Sequence, residues 1–217
     1  MHLTVINGSP RVKKYSNTDK ILSKFLEGYS VGENTYELFE ISDRKSWDRI
    51  RSAYEASDNI LIAIPLFVEC IPGLLIEFLE TLPKKNGAKM SFILQSGFAE
   101  GVQLRCGEDY LKIVAERLGC TYGGTLVKGN NFGIRLTEGK DQESQTLPYK
   151  EMGEVFARDK DLFSAECRAF TGPESYPLPI RLFVGLIFKT AAKSGFKKAA
   201  ASWGCTKPLD YRPYTEY

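Results

Sequence analysis

The sequence predicts an α/β protein with a doubly wound parallel sheet of five strands and a helical extension at its C-terminal end. Short apolar runs alternate along the first 128 residues with stretches in which apolar residues recur every three or four positions. The run at residues 59–64, Asn-Ile-Leu-Ile-Ala-Ile, is almost wholly apolar, which is typical of a central strand covered by helices on both faces. Strands that alternate with helices pair in parallel, and such sheets bind ligands beyond the carboxyl ends of their strands.

Each strand is predicted from an apolar or mixed run that stops at a turn residue or a polar loop. The five runs cover residues 3–7, 35–41, 59–64, 89–95 and 121–128. The intervening helices are predicted at residues 18–29, 46–56, 72–82 and 102–118. The apolar residues of the first helix share one face, and these residues are Leu22, Phe25, Leu26 and Tyr29.

The pattern changes after residue 128. We expect a loop rich in Gly and Asn at residues 129–139, a closing helix at 147–170, a break at the prolines of 173–179 and a further helix at 180–202. The predicted domains are therefore residues 1–170, which form the sheet and its helices, and residues 171–217, which form a helical extension with an extended tail.

Composition and charge exclude several classes of function. Lys and Arg number 29 against 27 acidic residues, and this net charge of +2 predicts no nucleic-acid partner. The five cysteines form no C-x-x-C pair, so we expect reduced thiols and no iron–sulfur cluster. The single histidine, His2, argues against zinc hydrolases and Ser-His-Asp triads. We predict no metal site and no catalytic side chain, and the lack of a signal-peptide pattern predicts a cytoplasmic protein.

The end of the first strand has a pattern typical of an anion site. The turn Asn7-Gly8-Ser9-Pro10 follows the strand, and Ser16-Asn17-Thr18 begins the first helix. A helix N-terminus offers unpaired N–H groups and a partial positive charge, to which hydroxyl groups add donors. The pattern is neither the dinucleotide fingerprint nor a P-loop, so it suits a phosphate monoester bound without a metal ion. The alternative is that Ser16 or Asn17 only caps the helix.

Two further loops are predicted at the same edge of the sheet. An apolar loop runs from Pro65 to Pro72 after the third strand, and a loop with two glycines runs from Gln95 to Gly101 after the fourth. Together with the anion site after the first strand, these loops fit a phosphorylated flat heterocycle, and FMN has that shape. Considered alone, Leu66 and Phe67 favour an ordinary cap on the core, and it is the convergence of three loops that favours a ligand site instead.

Over residues 1–128 these motifs resemble the flavodoxin-like NAD(P)H-dependent FMN reductases and NAD(P)H quinone reductases. The resemblance rests on Gly8-Ser9-Pro10-Arg11, on Ser16-Asn17-Thr18, and on Pro65-Leu66-Phe67-Val68 with Pro72 and Phe78-Leu79-Glu80. It implies a flavodoxin-like fold in which residues 1–170 form the FMN-binding domain. It also implies that the FMN phosphate is bound by Ser9, Arg11, Ser16, Asn17 and Thr18. The isoalloxazine ring would then lie between Pro65, Leu66, Phe67 and Val68 on one side and Ser96, Gly97 and Phe98 at the other edge.

The activity that the resemblance implies is an FMN-dependent transfer of electrons from NADH or NADPH to a quinone, a free flavin or a similar small-molecule acceptor. In such enzymes the flavin carries the chemistry and the protein orients it, which agrees with the scarcity of histidine. Two alternatives stay open. One is a flavodoxin-type electron carrier that does not turn over NAD(P)H, and the other is a binding module of the same fold that has lost its flavin.

The C-terminal extension combines an apolar run with a basic one. Residues 178–188 contain a single charged side chain, Arg181, and Lys189, Lys193 and Lys197 follow at four-residue spacing. The apolar run is shorter than the ~20 residues that a transmembrane helix needs. We expect the helix to be buried by protein, either on the body of the chain or on a second subunit, with a homodimer contact beside the flavin site as the favoured place. The alternatives are a lid over the flavin and a peripheral helix on an anionic membrane.

Overall fold

The computed structural model describes residues 1–208, 210–212 and 214, without the side chain of Ala191. The chain divides into two compact units, Met1–Ser175 and Tyr176–Tyr217. The first unit includes residues 171–175, which the sequence assigned to the extension. They belong to it because the carbonyl oxygens of Pro173 and Glu174 accept hydrogen bonds of 3.0 Å from the N–H groups of Gly101 and Val102.

The sheet of the first unit has five strands. They are β1 (His2–Asn7), β2 (Thr35–Glu40), β3 (Asn59–Pro65), β4 (Lys89–Gln95) and β5 (Thr121–Lys128). Their spatial order is β2-β1-β3-β4-β5, and every neighbouring pair is parallel. This is the flavodoxin-like order, in which the strand order reverses between β1 and β3 and a ligand is expected at their carboxyl ends. The predicted fold class is confirmed.

Helices cover both faces of the sheet. In the first unit they are α1 (Asn17–Tyr29), α2 (Trp47–Ala56), α3 (Gly73–Glu80), α4 (Val102–Arg117), α5 (Gly139–Asp159) and α6 (Ala165–Phe170). Short 3-10 helices occupy Lys13–Tyr15, Arg44–Ser46 and Phe132–Leu136. Helices α1 to α4 lie close to their predicted limits, because their apolar faces and flanking turn residues are visible in the sequence.

The prediction of a single helix at residues 147–170 is wrong. Helix α5 begins earlier, at Gly139, and continues through Pro148, although a proline inside a helix removes one backbone hydrogen bond. It ends where Lys160 adopts a left-handed conformation with φ of 63° and donates its N–H to the carbonyl oxygen of Phe156. A turn then separates it from α6. The loop predicted at residues 129–139 also contains the 3-10 helix Phe132–Leu136, whose irregular spacing gave no helical signal.

Two hydrophobic clusters lie on the two faces of the sheet. Ile62 belongs to the cluster packed under α2, α3 and α4, and its neighbour Leu61 belongs to the cluster under α1 and α5. Both faces of β3 are therefore buried, which explains its apolar run. Helices α1 and α5 approach so closely that a Cβ added at Gly28 would lie 1.9 Å from the carbonyl oxygen of Lys150.

The second unit is mostly helical. α7 (Leu178–Ile187), a π-helical turn (Phe188–Ala192) and α8 (Lys193–Ser202) follow one another without a break, in agreement with the helix predicted at residues 180–202. No described side chain of α7 or α8 is buried. Within the described ranges, no helix combines the length and the apolar character needed to cross a bilayer.

Candidate functional site

A cleft of about 190 Å³ lies at the carboxyl edge of the sheet, beyond β1, β3 and β4. Nine of the twelve residues predicted to bind the cofactor line it. These are Ser9, Arg11, Asn17, Thr18, Pro65, Leu66, Phe67, Ser96 and Gly97. Three residues that the sequence pattern did not single out also line the cleft, namely Gln95, Phe132 and Arg135. The topology thus brings the three predicted loops to one site, and a fourth segment joins them.

The loop after β1 is held by its own side chains. The Asn7 side-chain oxygen accepts a hydrogen bond of 3.1 Å from the N–H of Ser9, and the Ser9 hydroxyl accepts one of 3.3 Å from the N–H of Arg11. The chain turns next to β3, since a Cβ added at Gly8 would lie 3.0 Å from the carbonyl oxygen of Ala63. Ser9 is therefore buried at the cleft while Arg11 reaches its surface.

Ser16 does not line the cleft. It is fully buried as the N-cap of α1, and its hydroxyl oxygen accepts a hydrogen bond of 3.2 Å from the N–H of Asp19. This is the capping role that the sequence left open as the alternative. Asn17 and Thr18 occupy the first helical positions, where backbone N–H groups have no partner inside the helix. A phosphate binding at this end of α1 would therefore meet Asn17 and Thr18 first.

Asn17 links the start of α1 to the loop after β5. Its side-chain Nδ2 donates a hydrogen bond of 2.7 Å to the carbonyl oxygen of Asn131. Its Oδ1 is buried and, among the described residues, accepts no hydrogen bond. A buried acceptor without a donor costs about 1–3 kcal/mol. The Asn17 Oδ1 atom therefore fits a ligand hydroxyl at the cleft, such as those of the ribityl chain of FMN.

Thr18 and Gln95 connect α1 to the end of β4. The Gln95 Nε2 atom donates a buried hydrogen bond of 3.3 Å to the Thr18 hydroxyl oxygen, which leaves the hydroxyl hydrogen free to donate into the cleft. Gln95 is the last residue of β4 and is 6% exposed. In the sequence, Gln95 could be recognised only as a polar residue at the end of a strand, and that signal is weak by itself.

Two arginines give the cleft a positive charge. The Arg11 guanidinium lies 5.7 Å from the ring centroid of Phe67, and that of Arg135 lies 5.1 Å from the ring centroid of Phe132. Burial, and to a lesser extent the charge of Arg135, lowers the pKa of Arg11. Neither arginine forms an ion pair with any residue that the structure describes. Unpaired guanidiniums beside a helix N-terminus favour an anionic ligand.

The apolar side of the cleft comes from the loop after β3. Leu66 is buried and Phe67 is 40% exposed. The backbone groups of Phe67 and Cys70 exchange hydrogen bonds of 2.8 and 3.0 Å around a tight turn, in which Val68 and Glu69 have φ of 48° and 64°. Two positive φ values at the centre of a turn define type I′. The turn presents Phe67 to the cleft and leaves Val68 78% exposed, outside the lining.

The loop after β4 borders the cleft through Ser96 and Gly97. The Ser96 hydroxyl oxygen accepts a hydrogen bond of 3.2 Å from the N–H of Phe98. A Cβ added at Gly97 would lie 3.3 Å from the Cβ of Phe132, so glycine permits the close approach of the 3-10 helix Phe132–Leu136. Phe98 itself is 43% exposed and does not line the cleft.

No family model matches the sequence, and no curated protein matches it. Among solved structures, FerB, a flavoenzyme NAD(P)H:(acceptor) oxidoreductase from Paracoccus denitrificans, is 19% identical; the match covers 72% of this chain and 95% of FerB, with a TM-score of 0.54. The general stress protein 14 of Treponema denticola, solved in complex with FMN, is 10% identical over 72% of this chain and 97% of its own, with a TM-score of 0.54.

An NADH:FMN oxidoreductase named EMOB, solved in its apo form, is 16% identical over 82% of this chain and 97% of its own, with a TM-score of 0.52. The chain has the fold of these flavoproteins. The resemblance noted in the sequence is therefore present at the level of the flavodoxin-like fold. At these identities the fold alone is shared, and the function depends on the residues of the cleft.

Proposed function

We propose that this flavodoxin-like protein is an FMN-dependent oxidoreductase that transfers electrons from NADH or NADPH to a quinone, a free flavin or a similar acceptor. The observation that carries the proposal is the joining of two surfaces in one cleft. The start of α1 and two unpaired arginines favour a phosphate, and Leu66, Phe67 and Phe132 favour a flat apolar group. A phosphorylated flavin has both parts, and the names of structures with this fold include FMN and NAD(P)H.

The residues of the cleft fit the separate parts of FMN. The first N–H groups of α1, the Thr18 hydroxyl and the Arg11 guanidinium would bind the phosphate with charge-assisted hydrogen bonds. Asn17 Oδ1, which is buried without a donor among the described residues, would accept a hydrogen bond from a ribityl hydroxyl. Leu66 and Phe67 would cover part of the ring and exclude water from it.

Bound FMN would supply the redox chemistry, and this chain's side chains would bind and orient it. The described residues that line the cleft include no carboxylate, histidine or cysteine, so none of these groups is suited to take up or release a proton near neutral pH. The roles that we propose for protein and cofactor follow from this composition of the cleft. The protein supplies position and electrostatics, and the cofactor supplies the reacting atoms.

Titration of the apo-protein with FMN and with FAD tests the cofactor. We expect FMN to bind and FAD to bind no more tightly, because the sequence has a phosphate loop but no fingerprint for an adenylate. Riboflavin, which lacks the phosphate, should bind more weakly than FMN. A clear preference for FAD would contradict the assignment of the loop.

Anaerobic stopped-flow mixing of the FMN-loaded protein with NADH and with NADPH tests the activity. Either nucleotide should bleach the flavin absorbance, and a quinone should restore it. Reduction by dithionite but by neither nucleotide would favour the electron carrier. Failure to take up FMN at all would favour the binding module that has lost its flavin.

A further inference from the structure

Helix α7 in the second unit is apolar apart from Arg181, and it is exposed. Leu182, Phe183 and Leu186 are 66%, 63% and 61% exposed, and no residue of the helix is buried. Its 10 residues include one charged side chain, Arg181. A helix that is apolar all round needs an apolar surrounding, which either protein or lipid supplies. At 1.5 Å per residue, α7 is about 15 Å long, half of the ~30 Å hydrocarbon core of a bilayer.

The residues after α7 are strongly basic. Lys189, Lys193, Lys197 and Lys198 form no ion pair with any residue in the described part of the chain. By sequence, residues 176–217 contain seven basic and two acidic side chains, a net charge of +5. Residues 1–175 contain 22 basic and 25 acidic side chains, a net charge of −3. The positive charge of the protein is therefore concentrated beside the exposed apolar helix.

Three lysines of this unit line a second cleft, with a volume of about 500 Å³. Lys193 and Lys197 belong to α8, and Lys207 follows it in the chain. The Thr206 hydroxyl adds a donor, and Asp210 is the one carboxylate among the described lining residues. Three ammonium groups and a hydroxyl around one cavity favour a phosphate group.

Exposed aromatic residues accompany the lysines. Trp203 directly follows α8 and is 69% exposed, and Tyr214 is 87% exposed. Trp and Tyr are enriched where a membrane meets water, because each combines an apolar ring with a polar group. An apolar helix, a basic segment and exposed aromatic side chains are the three components of a membrane-surface segment.

We propose that residues 176–217 bind the surface of an anionic membrane. α7 lies among the acyl chains of one leaflet, the lysines of α8 contact headgroup phosphates, and the cleft formed by Lys193, Lys197 and Lys207 holds a lipid headgroup. The charge favours lipid over a second copy of the chain, since a contact between two copies of this segment would bring two charges of +5 together. The proposal is independent of FMN binding.

Flotation of the full-length protein with vesicles tests the proposal. We expect it to float with vesicles of phosphatidylcholine and phosphatidylserine, to bind poorly to phosphatidylcholine alone, and to be released by high salt. Each cation near an anionic surface contributes ~1 kcal/mol, or about fivefold. The double variant Lys193→Gln with Lys197→Gln should therefore lower the partition coefficient about thirtyfold. The matched control, Lys45→Gln with Lys112→Gln, removes two exposed lysines of the first unit and should bind normally.

A second pair of variants tests the apolar contribution of α7 to membrane binding. Leu182→Ser with Leu186→Ser removes two exposed side chains of α7 and should abolish flotation. Val31→Ser with Ile113→Ser removes two exposed apolar side chains of the first unit, which are 59% and 47% exposed, and should leave it unchanged. These four sites are exposed, so folding should be preserved, and circular dichroism checks that it is.

Tryptophan fluorescence locates the contact. The protein has two tryptophans, of which Trp47 is 8% exposed and Trp203 is 69% exposed. Brominated acyl chains should quench Trp203, and the response should disappear in Trp203→Phe. Absence of both flotation and quenching would overturn the proposal. Equal binding to neutral and anionic vesicles would also overturn it. So would a dimer, detected by light scattering, that dissociates in the variant Leu182→Ser with Leu186→Ser, if the protein does not bind to vesicles.

Discussion

Arg11 reaches the cleft from the loop after β1 and Arg135 reaches it from the 3-10 helix Phe132–Leu136, and the charge of Arg135 contributes, after burial, to the lowered pKa of Arg11. Their guanidiniums stack on different rings, those of Phe67 and Phe132. Two like charges that share a cleft repel each other, and an anion between them relieves the repulsion. The pair is thus a stronger indication of an anionic ligand than either arginine or the start of α1 alone.

We expect Arg11→Gln and Arg135→Gln each to weaken FMN binding by about 10- to 100-fold, since a hydrogen bond to a charged group contributes about 1.5–3 kcal/mol. Flavin fluorescence titration measures the affinity. Riboflavin binding should not change, because riboflavin has no phosphate. As a control, Arg49→Gln removes a guanidinium that lies 5.4 Å from the ring centroid of Phe39 and does not line the cleft. Unaltered FMN affinity in both variants would contradict the site.

Variants of Ser16 and Thr18 should distinguish an effect on stability from an effect on FMN binding. Ser16→Ala removes the N-cap of α1 and should lower the free energy of unfolding by about 1 kcal/mol, with a small effect on FMN affinity. Thr18→Ala removes a donor to the phosphate and should weaken FMN binding about tenfold. Denaturant unfolding and FMN titration of both variants give the comparison. A larger loss of affinity in Ser16→Ala than in Thr18→Ala would return Ser16 to the phosphate site.

A substitution in the turn at Val68 and Glu69 should stabilise the protein. Val68 is β-branched and has φ of 48°, a conformation that costs a non-glycine residue about 1–3 kcal/mol. Asn and Gly are the preferred residues at the centre of a type I′ turn. Val68→Asn should therefore raise the free energy of unfolding by about 1 kcal/mol, a rise of about 2–4 °C in Tm for a protein of this size. A lower Tm would mean that the Val68 side chain makes a stabilising contact.

Gly28 should not tolerate alanine. A Cβ there would lie 1.9 Å from a carbonyl oxygen of α5, so α1 and α5 would have to separate. We expect Gly28→Ala to lower the free energy of unfolding by about 3 kcal/mol, measured by denaturant titration. The matched control is Gly73→Ala at the start of α3, where an added Cβ would meet nothing within 4 Å. It should be neutral or slightly stabilising.

The sequence by itself determined the strands, the first four helices and the three loops of the site. These features depend on local patterns: apolar runs, three- to four-residue spacing, and turn residues at the strand ends. Parallel strands alternating with helices then bring the loops after β1, β3 and β4 to one edge of the sheet. Nine predicted site residues lie together in the cleft for that reason.

Only the tertiary structure decided the remaining side of the cleft and the role of Ser16. Phe132 and Arg135 stand on a 3-10 helix of five residues, too short to give a periodic signal, and Gly97 allows that helix to approach. Ser16 could cap α1 or face a ligand, and the packing of the helix start buried its hydroxyl. Local sequence fixes which residues begin a helix. The packing of distant segments fixes which of their polar atoms remain available for a ligand.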